Sequence, residues 1–86
     1  MNNTNIKEIN KGKPYSDEEL ILILSDAPTK LNCEKYASVF KRSYNGIYQI
    51  YQWAMTPKKN VLKYRPDDKF IGQIKRICKL VKWVSI

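Results

Sequence analysis

The sequence has no histidine, and its two cysteines, Cys33 and Cys78, lie 45 positions apart. A zinc site built from cysteine and histidine is therefore excluded, as is nucleophilic or general-base catalysis that depends on histidine. The three glycines are scattered, so no glycine-rich loop is present to cradle a phosphate. We therefore expect neither an enzyme nor a metal or cofactor site. The two cysteines are expected to be reduced thiols in the core.

Long apolar runs are also missing. No stretch approaches the length of a membrane span, and the first ten residues lack the apolar region of a secretory signal. We therefore expect a soluble, cytoplasmic protein without membrane contact. The formal net charge of +8 and the pI of about 9.6 favour an anionic partner. Residues 1–57 hold seven Lys/Arg against six Asp/Glu, whereas residues 58–86 hold nine against two, so the surplus lies in the last third.

Three short helices are predicted between residues 14 and 56. Ser16 and Glu19 form a capping box that starts the first helix. Asn32 is expected to cap the second helix, and Ser43 the third, which stops before Pro57. Apolar residues recur at helical spacing in the second and third helices, which predicts one buried face on each. These residues are Cys33, Tyr36, Ala37 and Phe40, then Ile47, Ile50, Tyr51 and Ala54.

A fourth helix is predicted from a cap at Asp67 to about Trp83. One side of this helix is apolar, with Phe70, Ile71, Ile74, Ile77, Cys78, Val81 and Val84. The other side is basic, with Lys69, Lys75, Arg76, Lys79, Lys82 and, among them, Trp83. The helix could close the core of the first three, form a homodimer, or lie on a membrane surface or a partner.

The predicted organisation has four parts. Residues 1–13 are expected to form a flexible arm, 14–56 a helix-turn-helix unit, 57–66 a basic connector and 67–86 the C-terminal helix. Together, residues 14–86 would make a single compact domain, because a chain of 86 residues is near the lower limit for folding without staples. The fold class is therefore all-α.

The third helix carries an uncharged polar face beside two basic residues. Its members are Tyr44, Asn45, Tyr48, Gln49 and Gln52. Asn and Gln can pair bidentately with adenine, and aromatic rings can contact the thymine methyl, so this face suits a DNA major groove. The candidate phosphate contacts are Lys41, Arg42, Lys58, Lys59, Lys63, Lys75, Arg76 and Lys79. The alternative is an ordinary surface helix with exposed polar residues.

Several of these residues together resemble a Myb/SANT-type helix-turn-helix. They are Tyr15, Ser16, Asp17, Glu18 and Glu19, then Tyr36, Ala37, Phe40, Arg42, Ser43 and Ile47. The stretch from Arg42 to Ala54 is also similar to Myb-like modules in small proteins of Gram-positive bacteria and their phages. The sequence departs from that pattern at Tyr15, where tryptophan is usual, and at Gly46, where alanine is more usual. The resemblance implies a three-helix bundle that binds DNA through its third helix.

The expected function is therefore sequence-specific binding of double-stranded DNA. The chain would be a small transcriptional regulator or accessory factor of a phage or mobile element, associated with the nucleoid when bound. A single short module holds little base information, so a homodimer or repeated sites are expected. The alternative is a protein-interaction module that binds a host polymerase, nuclease or recombinase through its aromatic face.

Overall fold

Four helices, whose bounds are given below, each begin at a side chain that caps the first turn. The computed structural model describes residues 9–57, 59–60 and 68–83. Within them lie four helices and no strand, in agreement with an all-α fold: α1 (Asp17–Leu24), α2 (Lys30–Phe40), α3 (Tyr44–Met55) and α4 (Lys69–Leu80). The four caps are Ser16, Thr29, Ser43 and Asp68.

The starts of α1 and α3 are those predicted from the sequence. The Ser16 hydroxyl accepts from the Glu19 N–H at 3.1 Å, and the Glu19 carboxylate accepts from the Ser16 N–H at 2.8 Å. The Ser43 hydroxyl accepts from the Gly46 N–H at 3.0 Å. Each cap thereby satisfies N–H groups that have no partner inside their helix.

The predicted cap of α2 is wrong. The Thr29 hydroxyl accepts from the Asn32 N–H at 3.1 Å, so α2 begins at Lys30 and Asn32 lies within its first turn. The Asn32 amide instead donates to the Ala27 carbonyl at 2.8 Å and ties the first turn to the loop before it. Both residues are favoured caps, and the sequence alone did not distinguish them.

The start and end of α4 also differ from the prediction. The carboxylate of Asp68, and not of Asp67, accepts from the Phe70 and Ile71 N–H groups at 2.8 and 3.1 Å. The helix ends at Leu80, because Lys82 turns into the left-handed conformation with φ of 57°. The Trp83 N–H then donates to the Cys78 carbonyl at 2.8 Å, as in a Schellman motif. Asp67 itself lies outside the described residues.

The predicted position of Trp83 is wrong, because the chain turns at Lys82. The side chain does not join the basic side of α4 but packs against the core, with its ring 6.1 Å from that of Tyr51. A continued helix would have placed Trp83 among the lysines. The left-handed residue before it redirects the chain and adds an indole to the buried surface.

The core is formed by one face of each helix. Its buried members are Leu20, Ile23, Leu24, Cys33, Tyr36, Ile47, Ile50, Tyr51, Ala54, Ile71, Ile74, Ile77 and Cys78. Both cysteines are buried free thiols, as expected. The apolar face of α4 packs on α1 and α3 of the same chain. A homodimer through the C-terminal helix would therefore have to use its exposed side. Val84 lies outside the described residues.

Two clefts lie among the helices. Residues at the starts of α1, α3 and α4 line the first cleft, among them Tyr15, Ser43 and Phe70. Residues at or near the ends of the same helices, Leu24, Met55 and Val81, line the second cleft. Because α2 connects the end of α1 to the start of α3, it leads from the second cleft to the first.

The segment before α1 is attached to the turn between α2 and α3. The Asn10 backbone N–H donates to the Lys41 carbonyl at 2.9 Å, and the Asn10 amide donates to the Phe40 carbonyl at 2.9 Å. The predicted flexible arm over residues 1–13 is thus corrected for residues 10–13, whereas residues 1–8 lie outside the described part. Most of the predicted connector over 57–66 lies outside it too.

Candidate nucleic-acid interface

Of the five predicted base-reading residues, Asn45, Tyr48 and Gln49 are exposed, whereas Gln52 and Tyr44 are partly buried. Tyr44 packs against the core, and its ring stacks on that of Tyr48 with centroids 6.4 Å apart. The buried residues of α3 occupy its other side, so the three exposed side chains point to solvent.

Tyr44 is the most restrained member of this face. Burial raises the pKa of its hydroxyl, and the neighbouring Cys33 and Glu34 raise it further. Burial likewise raises the pKa of the Cys33 thiol. Tyr44 therefore anchors the start of the face, and Asn45, Tyr48 and Gln49 are the members that a partner can reach.

The predicted phosphate contact Arg42 is buried and engaged within the protein. Its side chain is only 5% exposed. The Glu19 carboxylate accepts from Arg42 Nε and Nη2 at 3.2 and 3.1 Å. The remaining N–H groups donate to the carbonyls of Asn10, Lys13 and Pro14 at 2.9, 2.7 and 2.9 Å. All five guanidinium donors are used, so the prediction that Arg42 contacts phosphate is corrected.

Arg42 thus joins three separate parts of the chain. Its guanidinium lies 3.7 Å from the centre of the Tyr15 ring, in a cation–π contact. Burial tends to raise the pKa of the Glu19 carboxyl, but the hydrogen bonds from Arg42 and from the Ser16 N–H outweigh it and lower the pKa overall. Glu19 therefore has two roles: it completes the capping box of α1, and it is the counter-ion of Arg42, which precedes the cap of α3. In the sequence, Glu19 gave no separate sign of its contact with Arg42, because its place in the capping box already explained it.

Two predicted phosphate contacts on α4 also have partners in the protein. Lys75 Nζ donates to the Ala54 carbonyl at 3.2 Å and to the Thr56 carbonyl, so it caps the end of α3. Its predicted role as a phosphate contact is corrected. Arg76 donates to the Asp17 carboxylate at 2.8 Å, but its side chain is 60% exposed. Ion pairs between exposed side chains are weak, so Arg76 could still contact a phosphate, and that role stays a prediction.

The other predicted phosphate contacts have different outcomes. Lys41, Lys59 and Lys79 are exposed. Lys58 and Lys63 lie outside the described residues. Lys41 adopts the left-handed conformation with φ of 57° and forms the turn between α2 and α3. These three lysines are accessible to a partner, and their role stays a prediction.

Sequence reasoning placed Lys69 on the basic side of the fourth helix and the other lysines near the start of α3 in the N-terminal arm, but did not bring them together. Lys11, Lys13 and Lys69 line the first cleft, which has a volume of about 620 Å³; we call it the lysine cleft. Its remaining lining is Gly12, Pro14, Tyr15, Arg42, Ser43, Gly46, Phe70 and Gln73. No carboxylate is among the described residues that line it. Lys69 follows Lys13 by 56 positions, so no spacing rule would have grouped it with Lys11 and Lys13.

The described residues contain no group of three or more potential metal ligands. Among these same ranges, no helix has both the length and the apolar character needed to cross a membrane.

The fold and this surface define an all-α domain with an uncharged polar helix face next to a basic cleft. Residues 9–85 match the family model described as the C-terminal domain of the uncharacterised protein PM1205, and the chain belongs to that family. It is 52% identical over 69 residues to the uncharacterized protein PM1205 of Pasteurella multocida (strain Pm70). The match covers 80% of this chain and 55% of that protein, so the chain spans about half the length of this relative. No solved structure matches the chain significantly.

Proposed function

We propose that this domain binds double-stranded DNA, with α3 in the major groove and Asn45 and Gln49 pairing with base edges. The observation that carries the proposal is the exposed amide and aromatic face of α3, which begins directly beside the lysine cleft. Amides can read adenine, and lysines can neutralise phosphates. The net charge of +8 supplies long-range attraction to such a partner.

We propose further that α1 to α3 form a Myb/SANT-like helix-turn-helix. Three residues separate α2 from α3, and Lys41 makes the turn without a glycine. The Arg42 N–H donates to the Ala37 carbonyl at 2.9 Å and the Lys41 N–H to the Ser38 carbonyl at 3.4 Å. This Schellman pattern gives a tight, defined junction, which supports the proposal because a recognition helix needs a fixed angle to its neighbour.

The proposed role is that of a small transcriptional regulator or accessory factor. Three accessible residues on α3 can specify only a few base pairs. A dimer or a pair of neighbouring sites would supply the remaining specificity.

A second candidate function is binding to a protein through the same face. Tyr48 is 47% exposed and is held in place by stacking on Tyr44. A rigid, accessible aromatic ring is the kind of residue that anchors protein interfaces. Under this hypothesis Tyr48 would dominate the affinity and the amides would contribute little.

Selection from a random-sequence duplex pool tests the first proposal. We expect the bound fraction to be enriched in one motif, and Asn45→Ala with Gln49→Ala to abolish the enrichment while the helix content stays unchanged. Asn60→Ala is the matched control, because Asn60 is an exposed amide just beyond α3. Enrichment that survives the double substitution would contradict base reading. Loss of a protein partner on Tyr48→Ala, with no DNA binding by the wild type, would favour the second candidate.

A further inference from the structure

We propose that the lysine cleft holds a sugar–phosphate unit of the DNA backbone that flanks the groove occupied by α3. This inference rests on the proposed function and names the surface that supplies its phosphate contacts. Arg42 and Lys75 donate to groups of the protein itself. The proposed phosphate contacts are therefore Lys13 and Lys69, with Lys11 beside them.

The lysines of the cleft are carried by fixed backbone. The Lys13 carbonyl accepts from Arg42 at 2.7 Å, and the Lys13 N–H donates to the Asn10 carbonyl at 3.0 Å. Lys69 is the first residue of α4, directly after the capping Asp68. Both side chains are exposed, so they can reach an anion without disturbing the packing beneath them.

The described lining of the cleft carries basic but no acidic side chains. Two carboxylates lie close behind it and are paired, Glu19 with Arg42 and Asp17 with Arg76, and the Asp68 carboxylate accepts from the first turn of α4. An anion placed between Lys13 and Lys69 would therefore be attracted by their two positive charges.

The cleft combines aromatic and basic side chains, which suits the two parts of a sugar–phosphate unit. Tyr15 and Phe70 stack with centroids 5.3 Å apart and form an apolar floor beneath the lysines. Deoxyribose offers an apolar surface and the phosphate a charge, and the cleft presents both kinds of partner. Its volume of about 620 Å³ is larger than this unit requires. The floor is fixed further by Trp53, which meets Phe70 edge to face at 5.9 Å.

The cleft is continuous with the proposed base-reading face. Ser43 and Gly46, at the start of α3, form part of its wall, and the exposed Asn45 lies between them in sequence. A DNA strand whose bases meet Asn45 would therefore pass its backbone next to the cleft. This adjacency identifies the occupant as the backbone of the same duplex.

The test compares two double variants of equal charge. Lys13→Gln with Lys69→Gln alters the cleft. Lys30→Gln with Lys82→Gln is the control, because these exposed lysines lie near the opposite end, where α1 ends and α2 begins. The affinity of each protein for one duplex is measured at several salt concentrations, and its thermal unfolding is recorded to show that the fold is intact.

We expect the slope of log K against log salt to become shallower by about 0.9 in the cleft variant, since the two lysines together neutralise one phosphate and each neutralised phosphate contributes about 0.9. Between about 50 and 200 mM salt, wild-type affinity would then fall about 3.5-fold more than that of the variant. The control should keep the wild-type slope. Equal slopes in the two variants would overturn the inference about the cleft. DNA binding by the wild type would still uphold the proposed function in that case. Absence of wild-type binding even at low salt would overturn both.

Discussion

Replacement of Arg42 by methionine should destabilise the protein more than any single surface substitution. The change removes the positive charge and all five donors while keeping a long apolar side chain beside Tyr15. It leaves the Glu19 carboxylate, which is 19% exposed, without its counter-ion. It also removes the Arg42 donor from three carbonyls, of which that of Asn10 keeps its bond from the Lys13 N–H. Removing one partner of a buried pair costs about 3–5 kcal/mol.

We expect a value near the lower limit, about 3 kcal/mol, because the carboxylate retains some contact with water. For a domain of this size each kcal/mol lowers the melting temperature by roughly 4–8 °C, so Tm should fall by about 12–24 °C. The free energy of unfolding is measured by urea titration followed by circular dichroism. A loss below about 1 kcal/mol would refute the view that Arg42 is a buried clamp.

The pH dependence gives an independent check. The folded-state pKa of Glu19 is lower than its ordinary value of 4.5. Its contribution to stability is therefore fully present above about pH 4.5 and is lost as the pH falls through the folded-state pKa. Arg42→Met should flatten this acid limb of the stability curve, and Glu19→Gln should flatten it too. A double-mutant cycle of the two should give a clear coupling energy, about 0.5–3 kcal/mol. An unchanged acid limb would contradict the assignment.

Three further predictions concern other sites. Gly72→Ala should raise the free energy of unfolding by about 1 kcal/mol, because nothing lies within 4 Å of the added carbon. Gly46→Ala should raise it less or lower it, because the added carbon would lie 3.0 Å from the capping Ser43 hydroxyl. Lys75→Met should lower the free energy of unfolding by about 1–2 kcal/mol, because the cap of α3 is lost. Lys79→Met, at an exposed position, should lower it by less than about 0.5 kcal/mol. Urea titration measures both values. Burial, with the hydrogen bond to Asp26, raises the pKa of Tyr36 to about 12. Stability should therefore fall as the pH rises from about 10 towards 12, and Tyr36→Phe should make this fall less steep in alkaline unfolding curves. Some of the fall should remain, because burial also raises the pKa of Tyr51.

Each of these predictions has a contrary outcome. Equal gains from the two glycine substitutions would mean that the start of α3 tolerates a methyl group. Equal costs of the two lysine substitutions would mean that Lys75 does not cap α3. An alkaline limb whose steepness is unchanged in Tyr36→Phe would contradict a contribution from Tyr36.

The sequence predicted the helices well where periodicity and capping agreed. The buried residues of α3 and of α4 up to Cys78 follow from helical spacing alone, since each lies on the apolar arc of its helix. Caps were ambiguous where two favoured residues lay close together, as at Thr29 and Asn32. The final turn of α4 was missed because Lys82, and not a glycine, adopts the left-handed conformation. Nothing in local composition marks a lysine for that role.

The basic surface was the harder part to predict. A positive charge before a polar helix looks the same in sequence whether it faces a phosphate or a buried carboxylate, and Arg42 proved to face Glu19. Lys13 and Lys69 become neighbours only through the meeting of three helix starts. Such long-range contacts depend on how the helices pack, which the periodicity of one segment does not encode.

The presence of three helix starts at the lysine cleft has an electrical consequence. Each helix carries a partial positive charge of about half a unit at its start, and residues at the starts of α1, α3 and α4 line this cleft. These partial charges add to the charges of the lysines and make the cleft a positive pole of the domain. In the field of a polyanion, a torque would turn that pole towards the partner before contact. Under the proposed function, the rate of productive encounters would rise because fewer collisions occur with the wrong end forward.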